Sequence, residues 1–292
     1  WADGKPMDLS GVTWRWYPGD ETQTADPFIA AKMGAVNTPA YRGTAYVVFE
    51  ELALDVRVDA VAATIREADV VGVQEATPAM LATLDGELPA YTRYGVGRDA
   101  DGGGEQSAIL YRTDRFDRID GGTFWLSPTP GVAGSQGWDA ALPRIATWAR
   151  LRDRQSGRSF VIVNTHFDHM GETARRESAR LVVARAQGLA DGAPLAVTGD
   201  LNADDDSEVA RTFGAALRDT RLVADTPAAG GHATWNAFGT ATDDRRIDYV
   251  FVSEGVRVLE AATLDRTIGD VLGTENPRLP SDHHAVTATL AL

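Results

Sequence analysis

Polar side chains able to bind a hard cation or move a proton stand at the ends of several apolar segments. In open α/β sheets, sites gather at strand ends, because the strand fixes a side chain while the adjoining loop leaves it reachable. We therefore expect these side chains to meet in one site. Glu75 follows the segment VVGVQ, and His166 follows FVIVNT. Asp200 and Asn202 follow LAVTG, and Asp282 and His283 precede AVTATL.

Carboxylates and imidazoles in one site can support metal-assisted hydrolysis of a phosphoester. Oxygen ligands select Mg²⁺, Mn²⁺ or Ca²⁺, whereas a zinc site would require three or four His or Cys ligands. Mg²⁺ typically takes one or two protein carboxylates, which Glu75 and Asp282 would supply. A histidine can neutralise or protonate a phosphoryl oxygen, and Asp200 can take a proton from an attacking water.

Each residue also has a plain structural explanation when taken alone. Glu75 suits a helix-capping carboxylate, His166 a hydrogen-bonded structural histidine, and Asp200 with Asn202 a turn. Asp282 before a histidine pair suits a salt-bridge partner. However, four of the five histidines lie in or beside the candidate segments. This concentration favours a functional site.

The composition limits the class of protein. The 292 residues are 43% hydrophobic, which is enough for a sizeable core, and no apolar run approaches the ~18 residues of a membrane span. The absence of cysteine excludes disulfides and thiolate catalysis. A net charge of −14 disfavours indiscriminate binding to nucleic acid, while it fits metal binding or a salt-rich setting. We expect a monomer without a membrane partner.

The two ends of the chain differ in character. Residues 1–30 hold three tryptophans and no clear period, so we expect an extension packed on the domain, with 31–292 as a single catalytic domain. The start at Trp1 fits removal of a signal peptide or a cloning choice. Secreted and cytoplasmic locations both stay open.

Helix and strand patterns interleave after the extension, which predicts a mixed α/β fold. Residues 56–68 carry apolar side chains at helical spacing, and Thr77 followed by Pro78 predicts a helix start. A further helix is predicted at 172–191. Strands are predicted at 70–75, 107–112, 159–166, 195–200, 247–252 and 285–290.

Five motifs between residues 72 and 286, GVQEA, NTHFDH, GDLN, RIDYVF and SDHHAV, resemble the endonuclease/exonuclease/phosphatase superfamily, which has the deoxyribonuclease I fold. The intervening GVGRD, ILYRTDRF and GTFWLS resemble a bacterial subgroup whose substrates are poorly defined. The resemblance implies a four-layer α/β/β/α sandwich with two mixed central sheets. It also implies a Mg²⁺ cofactor, with Mn²⁺ or Ca²⁺ as alternatives, and a phosphoester substrate.

The resemblance implies a role for each matching residue. Glu75 would bind the metal, Asp200 would orient or deprotonate the water, and Asn202 would hold a phosphate oxygen. His166 and His283 would contact the scissile phosphate.

Supporting roles are implied for three more positions. Asp282 would pair with His283 or touch a second metal, and Asp248 would support a histidine from behind. Tyr111 falls where the family often has a phosphate-contacting tyrosine, with packing on a sheet as an equal alternative. Asn37 matches the spacing of the family's first-strand asparagine, a metal ligand, although its flanking residues match poorly.

Four further residues are candidates for substrate binding in this subgroup. Asp168 and His169 either line the pocket or cap the following helix. Arg144 and Trp138 are candidates for a substrate wall, with a core position as the alternative for the tryptophan.

The sequence thus favours a metal-dependent phosphoesterase that cleaves a diester or monoester by in-line attack of water. A nuclease and a small-molecule or sugar phosphoesterase both remain open. The competing hypothesis is a catalytically inactive module that binds phosphate or nucleic acid on the same fold.

Overall fold

The structure is a computed structural model that describes residues 14–16, 45–47 and 50–291, with side chains from Arg57 onward. It divides into two compact units, Trp1–Val56 and Arg57–Leu292. In the first unit, strand β1 (Trp14–Trp16) pairs antiparallel with β2 (Ala45–Val47). The remainder of the predicted extension and Asn37 lie outside the described residues.

A six-stranded mixed sheet forms the centre of the second unit, and its order is β10-β11-β9-β8-β7-β6. β8 and β9 run parallel, and every other pairing in this sheet is antiparallel. The strands are β6 (Phe116–Trp125), β7 (Ile145–Asp153), β8 (Ser159–His166), β9 (Leu195–Asp200), β10 (Arg218–Asp219) and β11 (Asp248–Val252).

Two smaller antiparallel sheets complete the described strands, with orders β3-β5-β4 and β12-β13. Their strands are β3 (Val70–Ala76), β4 (Tyr91–Tyr94), β5 (Gln106–Arg112), β12 (Arg257–Leu264) and β13 (Ala285–Ala291). The strands predicted from apolar runs are all present. Of these five strands, the sequence did not predict β4 or β12, which have mixed polar and apolar residues.

The described residues form six α-helices. They are α1 (Glu50–Ile65), α2 (Pro78–Glu87), α3 (Glu172–Ala190), α4 (Glu208–Gly214), α5 (Thr220–Val223) and α6 (Ile268–Leu272). The Thr77 hydroxyl accepts a hydrogen bond from the Met80 amide, which confirms the predicted start of α2. No described helix is long and apolar enough to cross a membrane.

The core lies in layers that match the predicted sandwich. One apolar cluster packs α3 and α4 on the outer face of the six-stranded sheet, through residues such as Val182, Phe213 and Phe251. A second cluster, with Ile109 and Ile162, lies between the six-stranded and three-stranded sheets. Leu81 of α2 packs against Ala108 of β5 on the far side. The α/β sandwich predicted from the motifs is confirmed, and its parallel pair lies in the six-stranded sheet.

A buried asparagine joins the two facing sheets beside their ends. The Asn164 amide donates to the Val73 and Ala108 carbonyls, both at 2.9 Å, and its oxygen accepts from Gln74 and Thr198. A side chain at Gly72 would place its Cβ 2.4 Å from the Asn164 oxygen, so glycine is required there. This contact fixes β3 against β8 and thereby sets where Glu75 meets His166.

Candidate active site

The register of the six-stranded sheet brings three predicted residues side by side. His166 is opposite Asp200 in the β8–β9 pairing, and Asp200 is opposite Asp248 in the β9–β11 pairing. Residues directly opposite in paired strands project from the same face. All three side chains are largely buried, and His166 Nε2 lies 3.4 Å from Asp200 Oδ2.

His283 reaches this row from the segment before β13. Its Nδ1 lies 2.8 Å from Asp248 Oδ2, and its Nε2 lies 4.0 Å from Asp200 Oδ2. Burial acts to lower the pKa of His283, but the hydrogen bond and charge of Asp248 outweigh it and raise this pKa to about 9. Asp248 thus lies behind a histidine, in the position that the resemblance implies.

Glu75 comes from the facing sheet, where the β3–β5 ladder is interrupted between Val73 and Ala76. Its φ of 53° lies in the left-handed region, which is strained for a glutamate. The irregular backbone places Glu75 Oε1 3.9 Å from His166 Nε2. The side chain stays accessible through the cleft mouth, yet the cleft walls partly desolvate it. This burial, followed by the charges of Glu105 and Asp282, raises the pKa of Glu75.

Asn202 is held just beyond the end of β9. Its φ is 47°, its backbone N–H donates to Asp200 Oδ1 at 2.7 Å, and its Nδ2 donates to the Phe167 carbonyl at 3.0 Å. Asn202 Nδ2 is also 3.1 Å from His166 Nε2. The amide is therefore fixed next to both the acid and the imidazole.

Arg144 leads into β7 and is 6% exposed. Its guanidinium lies between two histidine rings, with Nη1 2.9 Å from His166 Nδ1 and Nη2 3.2 Å from His169 Nδ1. Asp168 Oδ2 lies 3.7 Å from Arg144 Nε and partly balances its charge. A predicted wall residue is thus a direct neighbour of a predicted catalytic histidine.

Asp168 is 1% exposed and acts inside the protein. Its carboxylate accepts hydrogen bonds from the backbone amides of Ala141, Leu142, Met170 and Gly171. These contacts join the segment before Arg144 to the turn that carries His169. Asp168 therefore positions these two segments and does not line the cleft as predicted. It does not cap α3 either, because the Thr173 and Ala174 amides of that helix donate to Asp139.

Burial shifts the pKa values of Asp200 and His166 in opposite directions, and in each case it favours the neutral form. Burial, followed by the nearby charge of Asp248, raises the pKa of Asp200 to about 7. Burial, with the charge of Arg144, lowers the pKa of His166 well below its usual value. The site therefore combines a carboxyl that titrates near neutrality with an imidazole that stays neutral, an arrangement typical of acid–base sites.

These residues line a cleft of about 400 Å³. Its lining includes eight predicted site residues, namely Glu75, Arg144, His166, His169, Asp200, Asn202, Asp282 and His283. It also includes residues for which sequence reasoning assigned no role, namely Arg98, Glu105, Leu142, Trp235, Arg245 and Ile247. The GVGRD motif and the glycine-rich run before Glu105 were the available signals for the first two.

Within the described part of the chain, two groups of acidic side chains could bind a cation. Glu75 and Asp282 line the same cleft, as the predicted Mg²⁺ ligands must. Asp200, Asp248 and His283 also offer ligand atoms within 4.8 Å of one another. Because His283 Nδ1 is already bonded to Asp248, the second group fits a hydrogen-bonded relay better. The donor set of Glu75 and Asp282 suits a hard divalent ion that keeps further positions for water and phosphate.

Two predicted site residues lie away from the cleft. Tyr111 is opposite Val70 and Thr92, at the end of β5 remote from Glu75, and it packs in the core between the sheets. This position corrects the predicted phosphate contact. Trp138 lies in the loop between β6 and β7, is 37% exposed and does not line the cleft, which corrects its predicted place in a substrate wall.

Comparisons with known proteins agree with this geometry. Residues 49–283 match the sequence profile of the Endonuclease/Exonuclease/phosphatase family. Among curated proteins, none matches the chain in sequence.

Several solved structures are similar to the chain over most of its length. An endonuclease/exonuclease/phosphatase from Bacteroides vulgatus is 36% identical, with a TM-score of 0.75 over 82% of this chain and 91% of that one. The mannosyl-6-phosphatase of Bacteroides thetaiotaomicron is also 36% identical, with a TM-score of 0.74 over 82% and 92%. D. rerio TDP2 in complex with a single-strand DNA product is 19% identical, with a TM-score of 0.65 over 83% and 94%, and shares the fold.

Proposed function

Because the chain belongs to the endonuclease/exonuclease/phosphatase family, we propose that it is a divalent-metal-dependent phosphoesterase that uses water as the nucleophile. The observation that carries this proposal is the in-register row of His166, Asp200 and Asp248, with His283 and Glu75 beside it. Carboxylates and imidazoles from five chain segments meet in one cleft, which argues against separate structural roles.

Asp200 is the proposed base. Its carboxylate is oriented by the Asn202 N–H and has a pKa of about 7, so it can accept a proton from water near neutral pH. His166, Asn202 and His283 surround it and can each donate a hydrogen bond to a phosphoryl oxygen. Asp248 holds His283 in orientation and favours its charged form.

Glu75 and Asp282 are the proposed protein ligands of the cation, together with Asn37 from outside the described residues. A bound Mg²⁺ or Mn²⁺ would act as a Lewis acid towards a phosphoryl oxygen. Burial, followed by the charges of Glu105 and Asp282, raises the pKa of Glu75, and a cation would offset the repulsion among these carboxylates, which supports the assignment.

We further propose a small phosphomonoester, of the sugar phosphate class, as the substrate. One 36% identical relative is a mannosyl-6-phosphatase, and the cleft of about 400 Å³ is within the range of small-molecule sites. The net charge of −14 would repel a long polyanion. Trp235 and Arg245 add an aromatic and a cationic side chain to the lining, which suits a phosphorylated sugar.

A phosphoester panel tests the proposal directly. The protein would be incubated with each substrate in the presence of Mg²⁺, Mn²⁺ or EDTA. The substrates are mannose 6-phosphate, other hexose 6-phosphates, bis(p-nitrophenyl) phosphate and single-stranded DNA. We expect the sugar monoesters to be hydrolysed fastest and EDTA to stop the reaction.

Variants then separate an enzyme from an inactive binding module. Glu75→Gln and Asp200→Ala should each lower kcat by at least about 100-fold, whereas Asp206→Asn in the exposed loop after Asn202 should leave it unchanged. Phosphate binding without hydrolysis of any ester, with either metal, would favour the binding module. Preferential cleavage of DNA would overturn the substrate class alone.

A further inference from the structure

The contacts of Arg144 determine which nitrogen of two histidines carries the proton. Arg144 Nη1 is 2.9 Å from His166 Nδ1, and Nη2 is 3.2 Å from His169 Nδ1. A guanidinium has five N–H donors and no acceptor. Each Nδ1 must therefore accept, and a neutral ring whose Nδ1 accepts carries its hydrogen on Nε2.

A competing contact at His166 does not change this assignment. Asn202 Nδ2 is 3.1 Å from His166 Nε2, but a neutral imidazole cannot accept at both nitrogens. Asn202 Nδ2 has another acceptor, the Phe167 carbonyl at 3.0 Å, whereas Arg144 can only donate. The Nε2–H of His166 is consequently left facing Asp200 Oδ2, 3.4 Å away, at the floor of the cleft.

We propose that Arg144 is a positioning residue that holds His166 and His169 as Nε2–H tautomers, so that both rings donate to a phosphoryl group bound in the cleft. The donor role rests on the proposed phosphoesterase function. His169 thereby becomes a substrate-contacting residue at the cleft mouth. Because Arg144 is 6% exposed, it acts on the substrate through the two rings.

The buried carboxylate of Asp168 explains why the arrangement is rigid. It binds the amides of Ala141 and Leu142 on one side and those of Met170 and Gly171 on the other. Arg144 and His169 are therefore carried by segments that share one anchor. The fork geometry matters because a lysine at the same position would reach only one ring at a time.

Nitrogen NMR of the 292-residue protein tests the tautomers without relying on activity. In ¹⁵N-labelled wild type, His166 and His169 should each show a pyridine-like Nδ1 and a pyrrole-like Nε2, with the signals assigned from single histidine substitutions. R144K should give mixed tautomers in at least one ring. The control R152K lies in β7, the strand that follows Arg144, but Arg152 is exposed and paired with Asp117, so this variant should keep the wild-type pattern. A protonated Nδ1 on either ring of the wild type would overturn the proposal.

Binding of inorganic phosphate, measured by calorimetry with Mg²⁺ present, tests the donor role of His169. H169F removes the donor and should weaken binding about fivefold, because one hydrogen bond is lost. H169Q keeps an N–H at the distance of Nε2 and should recover most of this loss. Unchanged binding in H169F would refute the donor role. If the tautomers and the phosphate binding are as expected but no ester is hydrolysed, only the proposed function is refuted.

Discussion

Replacement of Asp200 by asparagine should stabilise the metal-free protein while it abolishes catalysis. Asp200 is buried, and burial with the charge of Asp248 raises its pKa from 3.8 to about 7. Between these two pH values the folded state keeps a proton that the unfolded state has released. Stability therefore falls as pH rises through this window, because the folded state binds more protons than the unfolded state.

The size of the effect follows from the pKa difference. At about 1.4 kcal/mol for each pH unit, a rise from 3.8 to about 7 corresponds to about 4 kcal/mol above pH 7. Water entering from the cleft lowers this penalty, so we expect a gain of about 2–4 kcal/mol for Asp200→Asn at pH 8. The gain should shrink to below about 1 kcal/mol near pH 4, where the unfolded carboxyl is about half protonated, and vanish below about pH 3, where both states are protonated. Asparagine keeps the oxygen that accepts the Asn202 N–H, so the loop after β9 should persist.

Urea unfolding in EDTA at pH 4, 6 and 8 measures this effect. The control Asp206→Asn removes one negative charge from the same loop at an exposed position, and should change stability by less than about 0.5 kcal/mol at every pH. Activity with Mg²⁺ should fall at least about 100-fold in Asp200→Asn alone. If the variant is no more stable than wild type at pH 8, the ionised Asp200 carboxylate does not destabilise the folded state, and the reasoning is refuted.

Three further predictions concern other contacts of the fold. Asp248→Asn should lower the pKa of His283 towards its usual value. The raised pKa stabilises the folded state below pH 6.5, and this stabilisation is lost as pH rises past 9. The variant should therefore lose more stability at pH 6 than at pH 10 in urea unfolding, and an equal loss would contradict the pairing. Asn164→Ala should cost about 3 kcal/mol in urea unfolding, because it leaves the Val73 and Ala108 carbonyls without their partner, and a cost below about 1 kcal/mol would show that this bridge is not needed. Thr77→Ala should cost about 1 kcal/mol in thermal unfolding through loss of the cap of α2, and no change in Tm would show that Pro78 alone suffices to begin the helix.

Local patterns were sufficient to predict many of the described elements. The apolar runs that end at Glu75, His166 and Asp200 are strands β3, β8 and β9, and the Thr77–Pro78 pair begins α2. Such patterns depend on burial and capping within a few residues, which a single sequence displays. β12 was missed because its polar and apolar residues do not form a long apolar run.

Local patterns do not predict which distant segments come into contact. Tyr111 follows an apolar run like the others, but the β3–β5 register places it at the end remote from Glu75. Arg98 and Trp235 line the cleft although they are far from each other in sequence and lie in loops. Loop conformation depends on which partners the folded chain provides, so the sequence carried no signal for Trp235 and, for Arg98, only its place in the GVGRD motif.

The sequence by itself determined which chemistry the protein has available: the residue types at strand ends, the absence of cysteine and the ordered motifs of the family. Only the tertiary structure decided which of those groups touch. The register of β8, β9 and β11 aligned His166, Asp200 and Asp248, and the irregular backbone at Glu75 turned that side chain towards them. The reason is that strand pairing and backbone strain are set by contacts between distant segments, which exist only once the chain has folded.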